Sequence, residues 1–248
     1  MRLGRYIIAL LLLCVPPMAA QEFGVGQEVL WADYADPTTR YQHGVLGDAE
    51  EWGALVIRVN TCVGCAGLRI EKRKITLPDT RVFEDVTPRV IVLGANQQRA
   101  VMVVESDVSR GARLSLYDGA GLIDATPYIG QAFRWLAPIG AADLDGDGQV
   151  EIAYIDRPHL TKRLRLWRFS DGKLHHLADL DGLTNHRIGW PDIPGGVRSC
   201  GGAHEMITAN ADWSQVMATT YTDKGLTTRA VAPYTGKESL TRAMVCGD

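Results

Sequence analysis

The sequence predicts an all-β fold, organised as a small β-propeller-like repeat of about four four-stranded blades. Helical periodicity is nearly absent, and apolar residues instead form short β-branched or aromatic runs separated by turn residues. The strongest runs begin at Ala54, Ala100, Glu151 and Glu205. They recur at intervals of roughly 50 residues, and a repeat of that length is typical of propeller blades.

The N-terminus precedes this repeat and has the features of a signal peptide over residues 1–20. Arg2 and Arg5 come before a short apolar run, which is followed by the small pair Ala19-Ala20. The run is too short to cross a bilayer as a helix. We expect cleavage after Ala20, so that the exported product is a single β-propeller-like domain over 21–248.

The last three repeat units each contain a second apolar strand that follows the first and ends in a turn. The turns at Asp118-Gly119 and Asp171-Gly172 indicate hairpins, because glycine accepts the positive φ that such turns require. We expect residues 28–41 to supply an outer strand that closes the ring with the C-terminal unit. A β-sandwich with accidental spacing is the alternative. The expected units cover about 43–78, 79–127, 134–180 and 195–234.

Four cysteines remain after the predicted cleavage, and an even number in an exported chain indicates disulfides. They allow three pairings, of which proximity favours Cys62–Cys65 and Cys200–Cys246. The first pair also has the C-x-x-C spacing of redox proteins. Such reactivity normally requires a helix N-terminus that lowers a thiol pKa, and no helical pattern follows Cys65. A redox protein is therefore a minor alternative.

The most specific segment of the chain is an acidic loop that leads into the strand at 151–155. Carboxylates stand at relative positions 1, 3, 5 and 9, and a backbone carbonyl at position 7 would complete the set. Ca²⁺ prefers six to eight oxygen ligands of these kinds. The loop therefore predicts one calcium site, with ligands from Asp143, Asp145, Asp147, Gln149 and Glu151.

Two other interpretations of this loop fit the sequence less well. An EF-hand needs a bidentate glutamate at position 12 and a helix after the loop, whereas position 12 is Tyr154 and a strand follows. Alternatively, the aspartates only cap backbone amides in a polar turn. Four carboxylates within nine residues repel one another unless a cation is present, which favours the calcium site.

The acidic loop followed by a short apolar strand resembles the calcium loop of FG-GAP/VCBS-type repeats, as in the integrin α-subunit propeller. The wider layout resembles exported bacterial proteins with VCBS repeats. This resemblance implies a calcium-stabilised scaffold for adhesion or ligand binding. The corresponding loops at 93–100 and 198–204 contain no acidic residue, so we expect one calcium ion and not three.

The remaining features bear on function. A net charge of −3 argues against a nucleic-acid surface, and no further segment is apolar enough to span a membrane. The histidines lack the spacing of a zinc enzyme, and no nucleophile elbow is present. We expect a non-enzymatic module that binds a protein or carbohydrate ligand, with sugar stacking on exposed tryptophans as one possibility. The alternative is a calcium-dependent hydrolase or polysaccharide-acting enzyme on the same scaffold.

Overall fold

The computed structural model describes residues 27–94 and 96–246, and this part of the chain is all-β. Seventeen strands form three antiparallel sheets, and the only helix of the described residues, α1, is Lys237–Ala243. The predicted signal peptide at 1–20 lies outside the described residues. The scarcity of helical periodicity in the sequence therefore corresponds to a chain built almost wholly from strands.

The first sheet contains eight strands. The main path runs in the order β1-β2-β4-β6-β7-β8, while β3 pairs with β2 and β5 pairs with β6. A single residue pair, Trp52 opposite Phe83, joins β2 to β4 and makes one continuous sheet. The strands are β1 (Glu28–Thr38), β2 (Glu51–Asn60), β3 (Ile70–Thr76), β4 (Arg81–Phe83), β5 (Arg89–Leu93), β6 (Gln98–Asp107), β7 (Gly111–Asp118) and β8 (Gly121–Ala125).

The second and third sheets are smaller. The second has the order β12-β11-β10-β9, and the third has the order β13-β15-β16-β17 with β14 paired to β15. Their strands are β9 (Leu136–Ala142), β10 (Val150–Asp156), β11 (Arg163–Ser170), β12 (Lys173–Asp181), β13 (Leu183–Thr184), β14 (Gly196–Cys200), β15 (Ala203–Asn210), β16 (Gln215–Thr222) and β17 (Gly225–Pro233).

The expected closing role of residues 28–41 was wrong. Strand β1 pairs along its whole length with β2, from Glu28 opposite Asn60 to Thr38 opposite Glu51. The C-terminal strand β17 pairs with β16 instead. The physical reason is that β1 finds an antiparallel partner in the next strand of the chain, which needs no long-range closure.

Two apolar clusters hold successive sheets together. In one cluster, Met102 and Leu114 of the first sheet pack with Ile152 of the second sheet and with Trp135, which immediately precedes that sheet. The other cluster joins the second and third sheets through residues that include Ile155 and Met206. Strand β9 lies close to β14, since a Cβ on Gly140 would come within 3.1 Å of Val197 Cγ2. The sheets therefore pack face to face in chain order.

Both favoured cysteine pairings are confirmed. Cys62 lies beside Cys65 with a Cα–Cα distance of 5.4 Å, and Cys200 lies beside Cys246 at 5.6 Å, with the sulfur atoms of each pair at bonding distance. The second pair joins β14 to the segment after α1. Among the described residues, no helix has the length and apolar composition needed to cross a membrane.

Candidate metal site

The acidic loop joins β9 to β10, which are antiparallel neighbours in the second sheet. Gly146 and Gly148 have φ values of 81° and 86°, a region that glycine enters without the steric cost of a Cβ. These two residues allow the chain to turn sharply between the strands. The turn brings carboxylates from both of its ends toward one point.

Three of the predicted ligands converge. Asp143, Asp145 and Glu151 each place one carboxylate oxygen within 4.8 Å of the others. Glu151 is fully buried, whereas Asp145 keeps 15% of its side chain exposed. A cluster that is closed on the side of the sheet and open on the side of solvent is accessible to an ion.

A guanidinium group already lies against this cluster. Arg168, from the neighbouring strand β11, places Nε 2.6 Å from Glu151 Oε1 and Nη2 2.6 Å from Asp145 Oδ2. Its Nη1 lies 3.0 Å from Asp147 Oδ2. One positive charge therefore faces the four carboxylates of Asp143, Asp145, Asp147 and Glu151, which leaves the loop with an excess of negative charge.

The remaining carboxylate oxygens accept hydrogen bonds from the loop backbone. Asp143 accepts from the N–H groups of Gly146 and Gly148 at 2.8 and 2.9 Å. Glu151 Oε2 accepts from the N–H of Leu144 at 2.8 Å. These are the capping contacts expected of a polar turn. They are compatible with a metal as well, because each carboxylate oxygen has two lone pairs.

Asp147 is not among the three carboxylates that converge, and the side chain of Gln149 bonds to Asp147. Asp147 Oδ1 accepts from the backbone N–H of Gln149 at 2.8 Å, and the Gln149 side-chain amide donates to Asp147 Oδ2 at 3.3 Å. Asp147 reaches the cluster through its contact with Arg168. Asp147 is exposed to solvent and Gln149 is partly exposed.

Burial is the main influence on the protonation of Glu151. It raises the pKa of Glu151, while the Leu144 N–H and Arg168 oppose that change and the charge of Asp145 adds to it. Conversely, the hydrogen bonds that Arg168 donates to Glu151 and Asp145 outweigh its desolvation and raise its pKa further. The single guanidinium does not fully compensate the buried carboxylate.

The donor set fits a hard dication. All of the converging atoms are carboxylate oxygens, which Ca²⁺ prefers over nitrogen or sulfur ligands. The uncompensated negative charge would favour a second cation beside Arg168, or one in its place. Asp143, Asp145 and Glu151 would hold that ion, and its contribution would be to tie the two ends of the β9–β10 loop together.

Open clefts flank the loop on two sides. One, of about 520 Å³, is lined by Asp143 and Asp145 together with His204 and Tyr221 of the third sheet. The other, of about 580 Å³, is lined by Asp143, Gly148 and His204 and by Val92 of the first sheet. The acidic loop therefore borders surfaces contributed by all three sheets.

Sequence reasoning missed Arg168, the residue with the most contacts to the acidic cluster. It lies 17 positions beyond Glu151 and faces it because β10 and β11 pair with Glu151 opposite Arg168. Several arginines occur along β11, at 163, 165 and 168, but no local pattern marks the last one as the partner of the loop.

The tryptophans differ in their exposure. Trp31 is 44% exposed, and the Arg58 guanidinium stacks over its ring at 4.0 Å. Trp135 and Trp167 are buried in the core. Trp190 and Trp213 pack edge to face, with ring centroids 5.4 Å apart. Most of these rings therefore have packing partners within the protein.

Comparison with known proteins adds no relative. No protein-family model matches the chain, and a search of curated proteins finds no significant match.

Proposed function

We propose that the protein is an exported, calcium-binding, β-propeller-like module that binds a protein or carbohydrate ligand and has no enzymatic activity. The observation that carries this proposal is the convergence of Asp143, Asp145 and Glu151 within 4.8 Å in a loop between two antiparallel strands. The resemblance of the loop to FG-GAP/VCBS-type calcium loops supports the same interpretation.

The propeller-like arrangement is supported by the strand order. Strands β5–β8, β9–β12 and β14–β17 each form a four-stranded antiparallel meander, which is the composition of one blade. The first strands of these meanders neighbour one another, since β9 contacts both β5 and β14. We assign three blades to the meanders and a fourth to β1–β3.

Export is supported by the predicted signal peptide at 1–20 and by the two cysteine pairs. Disulfides persist in oxidising compartments such as the periplasm and the extracellular space. Free calcium is also more plentiful outside the cell, and extracellular calcium modules bind with Kd values of about 10⁻⁴–10⁻³ M. A calcium site of modest affinity would therefore be filled there.

A ligand-binding role is supported by the clefts beside the acidic loop. They are open and large enough for part of a protein or carbohydrate partner. The second candidate function is a calcium-dependent hydrolase, which His204 favours because it lines both clefts together with Asp143. Loss of a measured hydrolytic activity in His204→Ala would establish that alternative.

Thermal unfolding in EDTA and in about 10 mM calcium tests the metal site. Saturating calcium should stabilise the protein by about 1–3 kcal/mol, as linkage predicts for that affinity. Asp145→Asn should abolish the gain, because the variant keeps the shape of the side chain but removes one ligand charge. Asp79→Asn, at an exposed aspartate in the turn between β3 and β4, should retain it.

Isothermal titration with calcium gives the stoichiometry, which we expect to be one ion per chain. An unchanged melting temperature in the native protein would contradict the calcium proposal and leave the loop as a turn held by Arg168. Equal calcium responses in native protein and Asp145→Asn would assign the ion to another part of the chain.

A further inference from the structure

A second cavity lies away from the acidic loop, where four connecting segments meet. Its volume is about 230 Å³, which is below the roughly 300–1,000 Å³ of drug-sized ligand pockets and suits only a small ligand. The lining comes from the β1–β2, β8–β9 and β10–β11 connections and from the segment between β13 and β14. Residues that the sequence separates by up to 145 positions, from His43 to Ile188, therefore share one cavity.

The rim of this cavity is apolar and exposed. Phe133 is 47% exposed, Leu160 is 64% exposed and Ile188 is 70% exposed. Deeper in, Trp135 is buried and lies parallel to the His159 ring, with centroids 6.3 Å apart. Large apolar side chains that are grouped in this way at a concave site indicate a surface for an apolar ligand group.

Two of these lining residues have an unfavourable backbone conformation. Phe133 and Arg157 have φ values of 53° and 47°, which non-glycine residues rarely adopt. Such conformations persist only where the surrounding structure holds them, and they concentrate at binding sites. Here they direct two lining residues from separate connections to the same cavity.

One basic side chain at the cavity has no acidic partner within the described residues. Arg134 donates only to the carbonyl oxygen of its neighbour Phe133, at 3.0 Å. Arg157, by contrast, makes a bidentate pair with Asp156 at 2.8 and 3.0 Å. Asp156 is also shared with Arg165, so its carboxylate already has two basic partners.

His43 adds a polar group whose orientation is fixed by a buried carboxyl group. Its Nδ1 lies 2.6 Å from Oε1 of the fully buried Glu84, whose other oxygen accepts a hydrogen bond from Ser106. This contact uses Nδ1 and leaves Nε2 for a ligand. The buried carboxyl group thus orients a ring that lines the cavity.

His159 is held as a neutral ring. His186 Nε2 contacts the carbonyl oxygen of Trp190 at 2.9 Å and must donate to it, so His186 Nδ1 accepts from His159 Nε2 at 3.0 Å. Burial lowers the pKa of His159 to about 4. This part of the wall therefore carries no charge near neutral pH, and Arg134 is the principal site for an anion.

We propose that this cavity binds a small organic acid, with its carboxylate on Arg134 and its apolar body against Phe133, Leu160 and Ile188. Guanidinium groups pair with carboxylates through parallel hydrogen bonds, and Arg134 has donors free for that geometry. This site is independent of the calcium proposal, because it shares no lining residue with the acidic loop.

Titration of the full-length protein with benzoate, followed by NMR or calorimetry in EDTA, tests the proposal. We expect saturable one-site binding with a Kd of about 1 mM or below. The uncharged isostere benzamide should bind at least tenfold more weakly, and so should inorganic sulfate. Running the same titration in calcium separates a failure of this site from a failure of the calcium site.

Matched variants distinguish the cavity from general attraction to basic surface. Arg134→Gln and Ile188→Ser should each weaken benzoate binding about tenfold or more, since they remove the charge and the apolar rim respectively. Arg69→Gln, an exposed arginine on the β2–β3 connection, should leave it unchanged. Absence of saturation, equal binding of sulfate, or full affinity in Arg134→Gln would overturn the proposal.

Discussion

The strands β10 and β15 each carry a glutamate near their start, but the two regions balance its charge differently. Glu151 shares one guanidinium, Arg168, with neighbouring aspartates. Glu205 has two of its own, with Arg198 Nε at 2.8 Å and Arg229 Nη2 at 2.6 Å. The acidic loop around Glu151 therefore has an excess of negative charge, whereas the surroundings of Glu205 have no such excess.

The protonation of the two glutamates follows this difference. Burial raises the pKa of Glu151 despite Arg168. Burial acts in the same direction on Glu205, but hydrogen bonds from Arg198 and Arg229 outweigh it and lower the pKa of Glu205. A complete set of internal partners makes a metal unnecessary near β15, whereas the incomplete set near β10 is where a cation would be stabilised.

Glu51, the first residue of β2, extends the comparison to a glutamate that has no basic partner in the described part of the chain. It is 2% exposed, and burial raises its pKa to about 9, with added effects from the charges of Glu84, Asp48 and Asp85. This carboxyl group stays protonated at neutral pH. Burial raises the pKa of a glutamate, and the arginines beside it decide how far that effect is offset.

The two loops are also tied differently. The segment before β15 is joined to the C-terminal segment by Cys200–Cys246, whose cysteines have a sequence separation of 46. The segment before β10 has no covalent tie and depends on hydrogen bonds to Asp143 and Glu151. A bound cation would stabilise the second loop in the way that the disulfide stabilises the first.

The largest expected effect comes from removing that disulfide. Cys200→Ser with Cys246→Ser should lower the free energy of unfolding by about 4 kcal/mol, because the bridge closes a long loop of the unfolded chain. Urea denaturation measures the loss. The Cys62–Cys65 bridge closes a far shorter loop. Its removal in Cys62→Ser with Cys65→Ser should therefore cost about 1–2 kcal/mol. Equal losses would contradict a chain-entropy origin.

Removing Arg168 should have the next largest effect. Arg168→Gln leaves buried Glu151 without its ion pair, which should cost about 3 kcal/mol in EDTA. Calcium should restore most of that stability, since it would replace the lost positive charge. The matched variant Arg198→Gln should lose less, because Arg229 remains on Glu205, and calcium should restore none of it. A calcium response no larger in Arg168→Gln than in native protein would weaken the comparison.

The smallest effect concerns Glu51 and depends on pH. Between about pH 4.5 and 9 the unfolded chain loses the Glu51 proton while the folded protein keeps it, so native stability falls as pH rises. Glu51→Gln should therefore exceed the native protein in stability by about 1–3 kcal/mol at pH 8. The gain should shrink below the unfolded pKa.

Denaturation curves at about pH 4 and 8 check this difference. Glu50→Gln, a change at the exposed neighbouring carboxylate, should show no such pH-dependent gain. If Glu51→Gln and Glu50→Gln behaved alike, Glu51 would be ionised in the folded protein, and the ordering of the three glutamates by arginine number would be lost.

Much of the secondary structure could be predicted because strands and hairpins depend on local sequence. The apolar runs that begin at Ala54, Ala100, Glu151 and Glu205 all lie within strands, and so do the runs that follow them. Merging of the first two units into one sheet could not be predicted. It depends on the three-residue strand β4 (Arg81–Phe83), which has no periodicity to detect.

The candidate metal site, like the fold, could be predicted only in part. Spacing of acidic residues and glycines in 143–151 is a local property, so the sequence was sufficient to locate the loop and to name its carboxylates. Convergence of three of them, and the approach of Arg168 from β11, depend on strand register and burial. The cavity at His43, Arg134 and Ile188 depends on contacts between distant connections, which periodicity does not encode. Short segments of sequence therefore determine strands, turns and the spacing of candidate ligands. Charge balance and cavity shape depend on how the sheets pack.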